Sequence, residues 1–126
     1  MARRDPETER TAIERTVLDY FEGWFGGDPV RMKRVLHPDL AKRSLETGTL
    51  RTITAEQMIE ATARGEGMSE SPGDLQIQIE VEDVLGQLAS VTVRSAVYTE
   101  YLHLAQTPDG WKIVNDAWQA TPASVD

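Results

Sequence analysis

The chain has 126 residues, with 21 acidic and 13 basic side chains, a formal net charge of −8 at pH 7 and a sequence pI near 4.7. That length suits one domain with a buried core, and 40% hydrophobic against 27% charged residues is the balance of a soluble globular chain. The acidity argues against a nucleic-acid partner held through phosphate contacts, and no apolar run approaches the ~18–20 residues of a membrane span. With no cysteine, disulfides, thiol nucleophiles and thiolate metal sites are excluded. The opening Met1-Ala2-Arg3-Arg4-Asp5-Pro6-Glu7 lacks the apolar segment of a secretory signal. A cytoplasmic protein with one domain over 1–126, ordered over about 5–120, is therefore expected.

The charge is unevenly placed. Residues 1–64 hold 11 bases and 11 acids, whereas residues 65–126 hold only Arg94 and Lys112 against ten acids. Six acids and no base fall between Gly65 and Asp83. Such a block keeps a protein soluble by self-repulsion, or filters out anionic ligands.

The first half carries helix signals. Asp5-Pro6 is an N-cap followed by proline at the first helical position, and Ile13, Val17, Tyr20, Phe21 and Trp24 then share one helical face. Gly26-Gly27 stops this helix. Asp28-Pro29 opens a short second helix that turns Met32, Val35 and Leu36 inward, and His37-Pro38 closes it because a residue before proline is pushed out of the α region. Two short strands at 42–46 and 49–53 flank Thr47-Gly48. A third helix over 54–64 starts on the capping-box pair Thr54 and Gln57 and ends at Gly65. Residues 65–74, rich in Gly, Ser and Pro, read as a flexible loop.

The second half carries strand signals. Leu75, Ile77, Ile79 and Val81 alternate with polar residues, and a turn at Gly86 pairs Val81 with Val91 and Ile79 with Val93. That register sets Arg94 opposite Gln78 and one diagonal step from Glu80. Residues 98–106 and 111–119 form a hairpin across Thr107-Pro108-Asp109-Gly110. Tyr98, Glu100, Leu102 and Leu104 share one face of it; Tyr101 and His103 share the other. On the return strand Trp111 and Ile113 lie on one face, with Val114 and Trp118 on the opposite one unless a bulge intervenes. Helices followed by a curved antiparallel sheet make an α+β layout, and a sheet rolled around the first helix leaves a cone with a pocket at its open end. The helices cover one sheet face only. The other needs a partner, and a homodimer through Tyr101, His103 and Val114 is expected.

The opening with Tyr20-Phe21, Gly27-Asp28 and Leu36-His37-Pro38-Asp39 resembles the nuclear transport factor 2-like superfamily. The closing Tyr101-Leu102-His103-Leu104, Asp109-Gly110-Trp111-Lys112-Ile113-Val114-Asn115 and Trp118 resembles its branch named putative lumazine-binding, with SnoaL-like proteins as neighbours. This resemblance spans about residues 9–120. It implies a cone-shaped, cystatin-like α+β barrel on three N-terminal helices, usually a homodimer, with one deep pocket per subunit. It implies no reaction.

The candidate site residues follow from both lines of reasoning. Glu100, on the face of Leu102 and Leu104, is expected to be desolvated and protonated, a general acid or hydrogen-bond donor; the alternative is a rim carboxylate in water or beside an arginine. In the ketosteroid isomerase relatives a protonated acid occupies what resembles this position, and a tyrosine of the oxyanion site resembles Tyr20. The position of their catalytic base falls near Ser44, which cannot take a carbon-bound proton unaided. His37 either faces the pocket and titrates near neutrality or caps the second helix. Trp24, Tyr98 and Trp118 border a pocket for a planar ligand, while Phe21 fills the core. Arg31, Lys33, Arg34, Lys42, Arg43 and Arg51 form a solvated basic stretch, or Arg43 holds a ligand carboxylate. His37-Pro38-Asp39 offers at most two metal ligands, so no metal or other cofactor is expected.

Three functions remain open at this level. One is a small-molecule-binding domain with a hydrophobic pocket bounded by Tyr20, Trp24, His37, Tyr98, Glu100 and Trp118. Another is an isomerase, cyclase or dehydratase acting on a planar polyketide- or steroid-like substrate, with Glu100 as acid. The third is a homodimeric interaction module with a filled cone.

Overall fold

The computed structural model describes residues 6–122. The N-cap expected at Asp5 lies outside them.

Helix α1 (Pro6–Gly26) buries Ile13, Val17, Tyr20 and Phe21 along the face that the 3.6-residue spacing marks. It ends where Gly27 takes a left-handed φ of 66° and the Asp28 N–H returns to the Gly23 carbonyl at 2.9 Å. Asp28 then caps α2 (Pro29–Val35), its Oδ1 accepting the Arg31 N–H at 3.0 Å, and Met32 and Val35 turn into the core.

Strand β1 (Leu36–Glu46) starts directly after α2, several residues earlier than its sequence suggests. Its alternation places Leu40, Lys42 and Ser44 on the buried face and exposes Arg43 and Leu45. The turn at Thr47 and Gly48, both with positive φ, leads into β2 (Thr49–Thr54) in the register Glu46↔Thr49. Thr54 then caps α3 (Ala55–Ala63) through the expected reciprocal box with Gln57.

Residues 65–74 depart from the expected flexible loop. After Gly65, in the left-handed region at φ 79°, a short helix α4 (Glu66–Glu70) forms. It is held against α1 by Gly67, whose missing Cβ would stand 2.1 Å from the Trp24 carbonyl oxygen. The next strand also begins later than the alternation implies. Gln76 adopts φ 51° and donates its N–H to Asp74 Oδ1 at 3.1 Å, which breaks the extended run before β3 (Gln78–Leu85).

Strands β3 and β4 (Leu88–Arg94) pair in the predicted register, Val81↔Val91 and Ile79↔Val93, and Arg94 reaches Glu80 at 3.7 Å. Strands β5 (Tyr98–Thr107) and β6 (Gly110–Ala120) form the last hairpin. Their pairing steps from Leu104↔Ile113 to His103↔Asn115, so Val114 is an extra residue in β6. This bulge shifts the alternation by one. Trp111 and Ile113 face inward before it, and Asp116 and Trp118 face inward after it, so Trp118 does not share a face with Val114.

The six strands form one sheet in the order β2-β1-β6-β5-β4-β3. All neighbours are antiparallel except β1 and β6, which run parallel because the whole intervening chain separates them. The helices pack on the inner face of this curved sheet, which gives an α+β cone around Phe21, Met32, Leu102, Leu104 and Ile113. Burying each of these large side chains contributes about 1.5–3 kcal/mol.

Candidate functional site

The cone is not filled. A cavity of about 390 Å³ lies between α1, α3, α4, the β1–β2 hairpin and the inner faces of β5 and β6, within the ~300–1,000 Å³ of small-molecule sites. Phe21, Trp24, Ile53, Met58, Tyr98 and Trp118 supply apolar wall, and the exposed Arg51, Glu60, Arg64, Glu66 and Glu70 surround the mouth. Tyr98 stands edge-on to Trp118 with ring centroids 5.1 Å apart. At the rim, Glu70 accepts a hydrogen bond from the Tyr98 hydroxyl and a further one from the Trp24 side chain, which ties α4 to two cavity walls.

Four polar side chains meet at the inner end. The Tyr20 hydroxyl lies 3.3 Å from Glu100 Oε1 and 3.2 Å from Asp116 Oδ2, and it accepts a hydrogen bond from Lys42 Nζ. Nζ stands 3.6 Å from each of the same two carboxyl oxygens. It also lies over the rings of Tyr20 and Trp118, 5.2 Å from each centroid. The backbone dictates this meeting. Lys42 is the register partner of Asp116 across β1 and β6, and Asp116 and Trp118 are the partners of Leu102 and Glu100 across β5 and β6. Tyr20, Lys42, Glu100 and Asp116 are all under 10% exposed.

Burial of a charge is costly unless it is neutralised or paired. Here burial pushes the Glu100 carboxyl well above the usual glutamate range, and the adjacent, hydrogen-bonded Asp116 carboxyl raises it further. Lys42 and the Tyr20 hydrogen bond pull the other way and are outweighed. Burial likewise raises the Tyr20 phenol, reinforced by both carboxyls. Tyr20 is therefore a neutral donor, and its surroundings favour the protonated form of Glu100. Ser44 Oγ, Asp116 Oδ1 and Trp118 Nε1 are buried without a hydrogen-bond partner among the described residues.

Of the side chains read from the sequence, Tyr20, Trp24, Tyr98, Glu100 and Trp118 line this cavity. His37 does not. It sits where β1 leaves the ladder between Leu36 and Ala41, and its Nδ1 accepts the Asp39 N–H at 3.0 Å in a local turn. The inward positions of β1 are the even-numbered ones from Leu40 onward, so the chain carries His37 away from the cavity. Arg43 is exposed on the other face of β1 and is no candidate for a ligand carboxylate here. Tyr101 and His103 lie on the outer sheet face, where His103 Nδ1 meets Asn115 Nδ2 at 3.3 Å.

Sequence reasoning missed Lys42 and Asp116. Lys42 was grouped with surface bases, although it stands two residues from Leu40 on one strand face. Asp116 stands two residues before Trp118 and was visible once the return strand was given its bulge. Among the described residues, no three His, Asp or Glu side chains lie together as a metal site, and no helix is long and apolar enough to cross a membrane.

The α+β cone is the fold of nuclear transport factor 2-like proteins. Solved structures agree. A nuclear transport factor 2-like protein of unknown function from Shewanella baltica is similar with a TM-score of 0.77 at 14% identity, covering 96% of this chain and 100% of that one. One from Silicibacter pomeroyi has a TM-score of 0.76 at 14% identity, covering 94% and 100%. A Streptomyces avermitilis protein titled a putative dehydratase of this family has a TM-score of 0.61 at 19% identity, covering 94% and 100%. At these identities the likeness is one of fold. A search of curated proteins gives no match. The family described as "Putative lumazine-binding" matches residues 8–119, and the chain belongs to it.

Proposed function

We propose that the protein binds a small planar molecule in the cone, with its apolar body between Trp24, Tyr98 and Trp118 and a polar edge against the buried quartet. The observation that carries this is the open, aromatic-walled cavity that ends on Tyr20, Lys42 and Glu100, with Asp116 bonded behind them. A filled cone would have favoured a pure interaction module. The family description makes lumazine the first compound to test. Calorimetric titration of the protein with lumazine and with uncharged fused-ring aromatics checks the reading: saturable binding abolished by Trp118→Ala supports it, and no binding by any planar compound overturns it.

A second reading, acid catalysis by Glu100 in an isomerase, cyclase or dehydratase, is favoured by one specific observation. Glu100 is a buried carboxyl, its pKa raised by burial and by Asp116, within hydrogen-bond reach of the Tyr20 hydroxyl at the floor of a cavity. Such a pair donates to an oxygen on which negative charge develops. Loss of turnover in Glu100→Gln with ligand binding retained separates this role from simple binding. We further propose a cytoplasmic homodimer joined through the outer face at Tyr101, which is 60% exposed, with His103 and Val114. Sedimentation at micromolar concentration tests it, and a 14.1 kDa species refutes it.

A further inference from the structure

We propose that Lys42 is an amine nucleophile for carbonyl compounds, and that an aldehyde or ketone entering the cavity forms an imine on its Nζ. This rests on the ligand-cavity reading above and names the class of ligand. Lys42 belongs to the cavity lining and is only 7% exposed, its amine set between the rings of Tyr20 and Trp118. An amine there is shielded from bulk water and held at the inner end of the cavity. A proton acceptor stands beside it: Asp116 Oδ2 lies 3.6 Å from Nζ, and Asp116 Oδ1 has no hydrogen-bond partner among the described residues. A proton donor stands beside it as well. Glu100 Oε1 is also 3.6 Å from Nζ and lines the same cavity. An amine flanked by one acceptor and one acid, in an aromatic chamber, has the parts that carbonyl condensation requires.

The protons balance within the quartet. The Lys42 ammonium gives one proton to the Asp116 carboxylate and becomes the free amine. Nζ attacks the carbonyl carbon, the N–C bond forms, and the carbonyl electron pair moves to oxygen, which takes the proton of Glu100. The resulting ammonium returns a proton to Glu100, leaving a neutral carbinolamine. Its C–O bond then breaks as the oxygen takes that proton and leaves as water, and the nitrogen lone pair forms the C=N bond. The protonated imine is left beside the Glu100 carboxylate, over the faces of Tyr20 and Trp118. No oxidant, reductant or metal takes part.

The three lysines of the chain make the test internal, because Lys33 is exposed and Lys112 half-buried. The protein is incubated with naphthaldehyde and sodium cyanoborohydride, which reduces an imine to a stable secondary amine, and the adduct is located by peptide mass spectrometry. The expected result is one adduct on Lys42, formed at least about ten-fold faster than on either other lysine. Asp116→Asn, which removes the proton acceptor and keeps the amine, slows it by a similar factor. Labelling of Lys33 or Lys112 as fast as Lys42 overturns the proposal. Naphthalenemethanol, which cannot form an imine, is titrated calorimetrically in parallel. Binding of the alcohol without a Lys42 adduct from the aldehyde overturns the imine and leaves the cavity reading standing; absence of both overturns the imine, and the cavity reading falls with it if no other planar compound binds.

Discussion

Replacing Glu100 by glutamine tests the protonated state of the cavity floor directly. Glutamine keeps the size and hydrogen-bonding capacity of a neutral glutamic acid and cannot ionise. In the folded protein the Glu100 carboxyl is raised well above its ordinary value, chiefly by burial and next by Asp116. Between the unfolded value near ~4.3 and the raised folded one, the native state binds more protons than the unfolded state. The stabilisation from this group is thus complete below about pH 4 and is lost as pH rises towards the folded pKa. The loss runs at up to about 1.4 kcal/mol per pH unit for a single group. Urea unfolding of the wild type and of Glu100→Gln at half-unit steps from pH 4 to 8 reads the difference, in which titrations common to both proteins cancel. The variant gains on the wild type as pH rises, and the two differ by a constant at the acid end. A difference that stays constant across the whole range refutes a proton held on Glu100.

Lys42→Met removes the cation from two buried carboxyls and costs about 3–5 kcal/mol, the usual effect of breaking a buried ion pair. For a chain of this length that lowers Tm by roughly 12–20 °C, and thermal melts followed by circular dichroism measure it. Gly67→Ala places a Cβ 2.1 Å from the Trp24 carbonyl oxygen, so α4 must move; a loss of about 1–3 kcal/mol in urea titration, with weaker ligand binding, is expected. His37→Ala leaves cavity binding unchanged within about 0.5 kcal/mol by calorimetry, because that ring belongs to a local turn outside the cavity.

The fold was legible where a local rule stood alone. Gly86 and a strict apolar alternation determine the pairing of β3 with β4, and Thr54 with Gln57 determines the start of α3. Tyr20, Trp24, Tyr98 and Glu100 could be placed at the cavity for the same reason, since a helical face or a strand face is local information. The remainder depends on non-local geometry. Whether Lys42 is wet or buried is decided by the parallel pairing of β1 with β6, about 70 residues apart, and a lysine in a charged stretch carries no mark of it. Asp116 is inward only because Val114 is unpaired, and nothing in the run Ile113-Val114-Asn115 announces a bulge. Helix α4 escaped because its glycines serve a close approach to α1 as well as a turn.

The Val114 bulge has a further consequence. Strand β6 carries two possible linings on its distal half: Asp116 and Trp118 on one side, and Asn115, Ala117 and Gln119 on the other. One residue of extra chain selects the first set. A shift of that single step, with Val114 paired to His103 and Asn115 to Leu102, would turn an ionisable chamber floor into one of amides and a methyl group, with Lys42 left facing no carboxylate from this strand. Chemical identity at the end of this cone is therefore stored in the pairing of β6 at one step, and a change of register there rewrites it without any substitution at the site.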